Sequence, residues 1–444
     1  MNARICLGFL LLFCALPLWA QVEPSASGGE EISPDEEFEM SLPPQLGGSS
    51  NSMHFGSQGR SNYLSGGLIL TGAYDDNVMA GGFSEPIADG SIGVVPTIGY
   101  RVTTPRQSTS LNYGAGLTFY MPNSAFNQVN QNAAFDFSYH TSRHSTLSVQ
   151  DSFQQNSSLF SQPYTFNEPA SGSTLGPSPS IIVPYASQIM NSTSIEFGYQ
   201  FARDAMIGGG GSYNIFHLPN LSEVDGLNNS NSFSGAGFYM RRLTKGQYLG
   251  GIYSYAHIAT NPVDTTTGVQ VGSIFYTLEP TVRFSLELTA GPQYVNTSEP
   301  GRPSESSLGA FVLADIAYHN TRAGWSTSYS HAVTAGQGLV GAYTSDAFNA
   351  TASWQIEKTW SASISGAYLN LATALPASVV STPGGHTFFA TVSVMHQLGE
   401  HLNIEADYRR LHQSYRDITV VSNSPDDDRV SVSLYYQFRR PVGR

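Results

Sequence analysis

Residues 429–438 read Arg-Val-Ser-Val-Ser-Leu-Tyr-Tyr-Gln-Phe, and their alternation decides the fold. Val430, Val432, Leu434, Tyr436 and Phe438 share one parity, while Ser431, Ser433, Tyr435 and Gln437 share the other. A period of two describes a β-strand with one apolar and one polar face. The strand ends on an aromatic close to the C-terminus. In a chain carrying an export signal, that is the expected closing strand of an outer-membrane barrel. Tyr436 and Phe438 then form the C-terminal signal recognised by the barrel-insertion machinery.

Composition agrees with a chain that turns one face to lipid and the other to water. Charged residues make up 12% and apolar ones 40%, where a soluble domain carries about 25% charge. The net charge of −13 argues against nucleic-acid partners. Residues 1–20 read as a secretory signal: Arg4, an apolar run from Ile5 to Leu18, then a small-residue cleavage site ending at Ala20. Cys6 and Cys14 leave with it, so the mature chain has no thiol and no cysteine metal site. No later apolar run is long enough for a membrane helix. Residues 21–61 are rich in Pro, Gly and Ser and carry an acidic run, Glu30 to Glu39; they read as a disordered periplasmic tail.

From Asn62 onward, segments with alternating polarity recur at a length of about 10 to 14 residues, enough to cross a bilayer at a tilt. Short connections near 104–106, 143–144, 203–204, 244–246, 284–285, 320–323, 357–359 and 399–400 alternate with long ones. The long ones are placed at 75–90, 156–188, 218–229, 261–268, 296–304, 334–342, 372–385 and 414–426. Two segments, 231–242 and 248–259, have ambiguous parity. Short and long connections in turn are expected of periplasmic turns and surface loops. The expectation is an all-β, closed antiparallel transmembrane barrel over residues 62–438, with about 18 strands and 16 as the alternative count. Residues 439–444 form a short tail.

Parity assigns an inward face. It places Arg101, Asp136, Glu196, Glu279, Arg283, Glu287, Asp315, Glu405, Asp407 and Arg409 on the pore lining. Carboxylates outnumber arginines there, so an open pore should favour cations modestly. Mutual pairing that braces the wall is the alternative use of these groups. Tyr120 and Tyr435 also face inward, where they could stack on sugar rings or simply fill space. Aromatics near segment ends (Tyr74, Tyr120, Tyr139, Tyr318, Trp325, Trp360, Phe438) suggest two interfacial girdles.

Sharper chemistry is not supported. Asp75-Asp76-Asn77 and Asp426-Asp427-Asp428 offer oxygen ligands for Ca²⁺, but neither sits in an ordered loop with a bidentate Glu; they read as solvated loop charge. The histidines have no metal-ligand spacing. No nucleophile motif and no phosphate-binding loop is present, so the expectation is no enzyme, no cofactor and no metal.

Gly72-Ala73-Tyr74-Asp75-Asp76-Asn77-Val78 closes the first segment, and Val430–Phe438 followed by Arg439-Arg440-Pro441 closes the last. With these motifs the chain resembles the β-barrel porins of outer membranes often encoded beside exopolysaccharide genes. The resemblance implies passage of surface polysaccharide or small solutes through the outer membrane. It supplies no catalytic residues; outer-membrane lipid is the partner expected from the barrel itself, and polysaccharide the one the resemblance adds. The alternative is a structural or adhesive barrel acting through its loops, above all residues 156–188 with the apolar run Ile181-Ile182-Val183.

Overall fold

The computed structural model describes residues 62–78, 85–156, 187–219, 227–262, 264–281, 283–335, 342–374, 384–416 and 426–442. The expected signal, the acidic tail and most of residues 156–188 lie outside them. Eighteen strands follow in order. They are β1 Tyr63–Asp75, β2 Asp89–Thr103, β3 Gln107–Met121, β4 Gln128–Ser142, β5 Ser145–Asn156 and β6 Gln188–Ala202. Next come β7 Ala205–His217, β8 Asn229–Thr244, β9 Gln247–Asn261, β10 Thr265–Thr281, β11 Phe284–Ser298 and β12 Glu305–His319. The last six are β13 Ala323–Ala335, β14 Ala342–Gln355, β15 Trp360–Thr373, β16 Gly385–Gln397, β17 Leu402–Tyr415 and β18 Asp426–Pro441.

Each strand pairs antiparallel with its sequence neighbours, and β18 returns to β1. That closing pair runs without a register shift from Tyr63 opposite Pro441 to Asp75 opposite Arg429. The sheet is therefore a closed 18-stranded barrel with no free edge, the condition under which strands can sit in hydrocarbon. The alternative count of 16 is excluded.

Parity works as the quoted stretch implies. Val430, Val432, Tyr436 and Phe438 stand exposed on the outside, with Ser431 and Ser433 buried on the inside. The same outward rows appear as Leu68 and Leu70 on β1, Ile92 and Ile98 on β2, and Leu117 and Phe119 on β3. Exposed apolar rows around a whole barrel form a surface for lipid, not water. Tyr100, Tyr199, Tyr239, Trp325, Trp354 and Trp360 mark its short-turn end. Tyr74, Phe119, Tyr255 and Tyr294 stand toward the long-loop end.

Two expected connections differ. Residues 261–268 were expected as a long loop, but β9 ends at Asn261 and β10 begins at Thr265. The threonines there belong to the strand: Thr265 and Thr267 are buried, and Thr267 shares a hydroxyl bond of 2.9 Å with Thr297. Branching at Cβ favours extended backbone over a loop. The other turn, expected at 284–285, falls between Thr281 and Phe284.

Candidate functional site

The inner face divides into sectors of different chemistry. From β3 to β8 and again over β13 to β15, small polar side chains line it, many half-exposed. They bond across neighbouring strands: Ser110 donates to Asp136 Oδ2 at 3.0 Å and Ser192 to Asn214 Oδ1 at 2.7 Å. Ser212 meets Ser234 at 2.7 Å and Ser326 meets Thr351 at 2.8 Å. This is the hydroxyl and amide lining that low charge without high hydrophobicity suggests.

From β8 to β13 large apolar side chains pack on the inner face, among buried hydroxyls and amides such as Thr265, Thr289 and Gln293. Met206, Met240, Tyr248, Ile252 and Phe275 pack as one buried cluster, with Ala236 and Phe238 against it. Ile258, Val269, Val271, Val295 and Phe311 form a second. Although four strands separate β8 from β13, their Cα atoms come within 8 Å of each other. The barrel is pinched where β8 meets β13, and β8–β13 curl into a buried lobe. The lining of β16–β18 and β1 is buried too, with Thr391, Arg409, Gln413, Ser431 and Thr71 all below a tenth exposed, so the half-exposed lining is that of β3–β8 and β13–β15. Separately, β7 lies tight against its neighbours β6 and β8 and needs glycine there: a Cβ on Gly210 would lie 2.4 Å from Ile195 O of β6. On Gly208 it would lie 2.3 Å from Phe197 O and 2.5 Å from the Phe238 ring.

The ten charged residues assigned to the lining fall into five settings. Arg101 faces inward near the short-turn end, with its guanidinium 5.8 Å from the centre of the Tyr63 ring. Arg439 approaches the same ring at 5.2 Å. Asp136 is half-exposed on the hydroxyl-lined wall, and Glu196 faces the same sector but is buried. Glu287 and Asp315 are register partners on β11 and β12, at the foot of the buried lobe. Glu287 Oε1 is buried there without a hydrogen-bond partner, and Glu279 stands exposed near the end of β10.

Asp407 and Arg409 form a nearly inaccessible ion pair, Oδ1 to Nε 2.7 Å, whose angle falls short of a hydrogen bond. Ser431 donates to the same carboxylate, and Glu405 receives the Tyr435 hydroxyl. These groups brace the wall at β17 and β18. The fifth setting is a correction. Arg283 lies in the β10–β11 turn and is exposed, not in the lining, because the turn comes earlier than parity alone placed it.

Tyr120 is corrected too. It faces inward but is only 2% exposed, and Phe126, from the short 3₁₀ turn Ser124–Phe126, packs edge-on against it at 6.2 Å. Neither ring face is open to a sugar, and a girdle role is ruled out as well. Tyr435 is half-buried with its hydroxyl on Glu405. Tyr436 and Phe438 face outward, and the Phe438 ring lies over Gly66 of β1, 2.4 Å from where a Cβ would stand.

The arrangement offers no nucleophile–base pair among the residues assigned to the lining. What it offers is a polar conduit beside a buried lobe. No protein-family model matches the chain, and no curated protein does. Among solved structures, the chain is similar to Pseudomonas aeruginosa OccK2 (OpdF), at 8% identity and TM-score 0.43 over 86% of this chain and 98% of that one. It is similar also to the P. aeruginosa outer membrane protein OpdK, at 9% identity and TM-score 0.40 over 85% and 99%. Acinetobacter baumannii OccAB4 gives 10% identity and TM-score 0.39 over 86% and 100%. At these scores the similarity is one of general outline.

Proposed function

We propose that the protein is a passive outer-membrane channel for small polar solutes, neutral polyol and oligosaccharide chains foremost. The observation that carries this is the half-exposed hydroxyl and amide wall inside a closed barrel whose outside is an apolar belt. A barrel of this strand number encloses an aqueous lumen unless something fills it, and here the buried lobe fills part of it. Half-exposed Asp136 and buried Glu196, against Arg101 of β2, give this part of the lining a small excess of negative charge, which favours cations modestly. Outer-membrane lipid is the partner of the outer face, and the closing strand with Tyr436 and Phe438 is the segment presented for insertion. Passage of surface polysaccharide is the finer form of this reading. The adhesive alternative turned on residues 156–188, most of which lie outside the described residues, and no observation here favours it.

Single-channel conductance of the detergent-folded protein in a planar bilayer tests the reading. Steady, mildly cation-selective steps that a neutral oligosaccharide reduces are expected. A folded barrel that conducts nothing sinks the channel, and conductance that no sugar reduces sinks the polyol part.

A further inference from the structure

The two acidic triplets, Asp75-Asp76-Asn77 and Asp426-Asp427-Asp428, meet where the barrel closes. β1 and β18 are joined by no turn; their ladder and cross-strand side-chain bonds such as Thr71 to Ser433 at 2.9 Å hold them. That pairing continues past the last register pair. Asp76 N donates to Asp428 O at 3.1 Å, and Asp428 N donates to Asp76 Oδ1 at 2.7 Å across 352 positions of sequence. Asn77 N donates to Asp75 Oδ1 at 3.1 Å, and Asn77 Nδ2 donates to Asp426 O at 2.8 Å. Asp75, Asp76 and Asp427 thereby each bring a carboxylate oxygen within 4.8 Å of the other two.

Charge at this point does not balance. Asp75 and Asp427 are 1% and 2% exposed. The buried cation beside them is Arg429, whose Nη1 is 3.3 Å from Asp75 Oδ2. Arg410 stands on the outer face and is engaged by Asp426 and Asp428 at 3.1 and 3.0 Å. Asp427 Oδ1 is buried without a donor, and its carboxyl neighbour Asp75 brings another acceptor rather than a positive charge. A buried carboxylate oxygen without a donor is unfavourable unless a cation meets it.

We infer that Asp75, Asp76 and Asp427 form a site for a hard divalent cation, Ca²⁺ foremost, which ties the first strand to the last at the long-loop rim. The donors are oxygens without nitrogen or sulfur, which suits Ca²⁺ rather than Zn²⁺. Ligands about 2.3–2.6 Å from Ca²⁺ lie up to roughly 5 Å apart, as these oxygens do, with water completing the shell. The inference does not depend on the channel reading.

The test uses the full mature chain folded in detergent. Equilibrium dialysis counts bound Ca²⁺, and circular dichroism follows thermal unfolding in Ca²⁺ and in EGTA. Expected are one ion per chain and a higher midpoint with Ca²⁺. Asp427→Asn should bind Ca²⁺ at least about tenfold more weakly, having lost one ligand charge. In EGTA it should nevertheless unfold at a higher temperature than the wild type, because a buried repulsion is relieved; Ca²⁺ should reverse that order. A wild type that binds no Ca²⁺ and unfolds alike in both buffers overturns the site. Should Asp427→Asn not fold, Asp76→Asn at the exposed rim reads the same loss. Ca²⁺ binding undiminished in the folded variants also overturns the proposal.

Discussion

Arg283 and Asp136 look alike in the sequence, each a charged residue on the polar parity of an alternating stretch. The structure separates them by where the hairpin turns. Asp136 lies mid-strand, bonded to Ser110 at 3.0 Å on a half-exposed wall, while Arg283 sits in the turn. Mid-strand charge was legible because parity is rigid there. Charge beside a turn was not, because a slip of two residues preserves parity and changes depth. If the β3–β8 lining sets selectivity, Asp136→Asn with Glu196→Gln should move the cation-to-anion permeability ratio toward unity. Arg283→Ala should leave it unchanged. Reversal potentials under a salt gradient decide; a shift in Arg283→Ala equal to that of the double variant would refute the assignment. Glycine gives a second residue-scale case. Gly210→Val drives a side chain into Ile195 O, 2.4 Å from the Cβ position, and should destabilise by about 1–3 kcal/mol. At Gly235 a Cβ finds its nearest atom at 3.8 Å, so Gly235→Ala should be nearly silent. Urea unfolding of both proteins is the measurement.

At the scale of elements, most strands could be placed from period two, and β8 and β9 could not. The reason is physical. Phe238, Met240, Tyr248, Ile252 and Ile258 face inward, while Phe233, Tyr239, Leu249 and Tyr253 face outward. Two apolar faces leave no alternation to read. The ambiguity was itself the signal of a dry interior, although a single sequence does not say which strands oppose each other. Phe275, from β10, is fully buried at the centre of that packing. Phe275→Ala should cost about 3–5 kcal/mol. Phe119→Ala, which removes a ring from the lipid face, should cost clearly less, since the ring has detergent or lipid beside it in either case. Equal losses in denaturant midpoint for the two variants would mean the lobe is not a packed core.

For the whole molecule, the strand count and the lumen are separate questions. Eighteen strands and antiparallel closure were legible because parity and connection length act locally along the chain. The pinch between β8 and β13 was not, because it is a contact across the barrel. Chemistry of inserted thiols can show it directly, since the sequence has cysteine only at positions 6 and 14, within the expected signal. Ser212→Cys places a thiol on the half-exposed hydroxyl wall, and Val271→Cys places one inside the apolar lobe. A membrane-impermeant maleimide should label the first within the time that leaves the second unlabelled, and labelling of the first should lower single-channel conductance. After unfolding in denaturant both should react, which shows that both thiols are intact. Rapid labelling of Val271→Cys in the folded protein would mean that water reaches the lobe and that the lumen has the full width its strands allow. Protection of both positions would mean the hydroxyl wall is covered as well, and the barrel would then work without an open path through it.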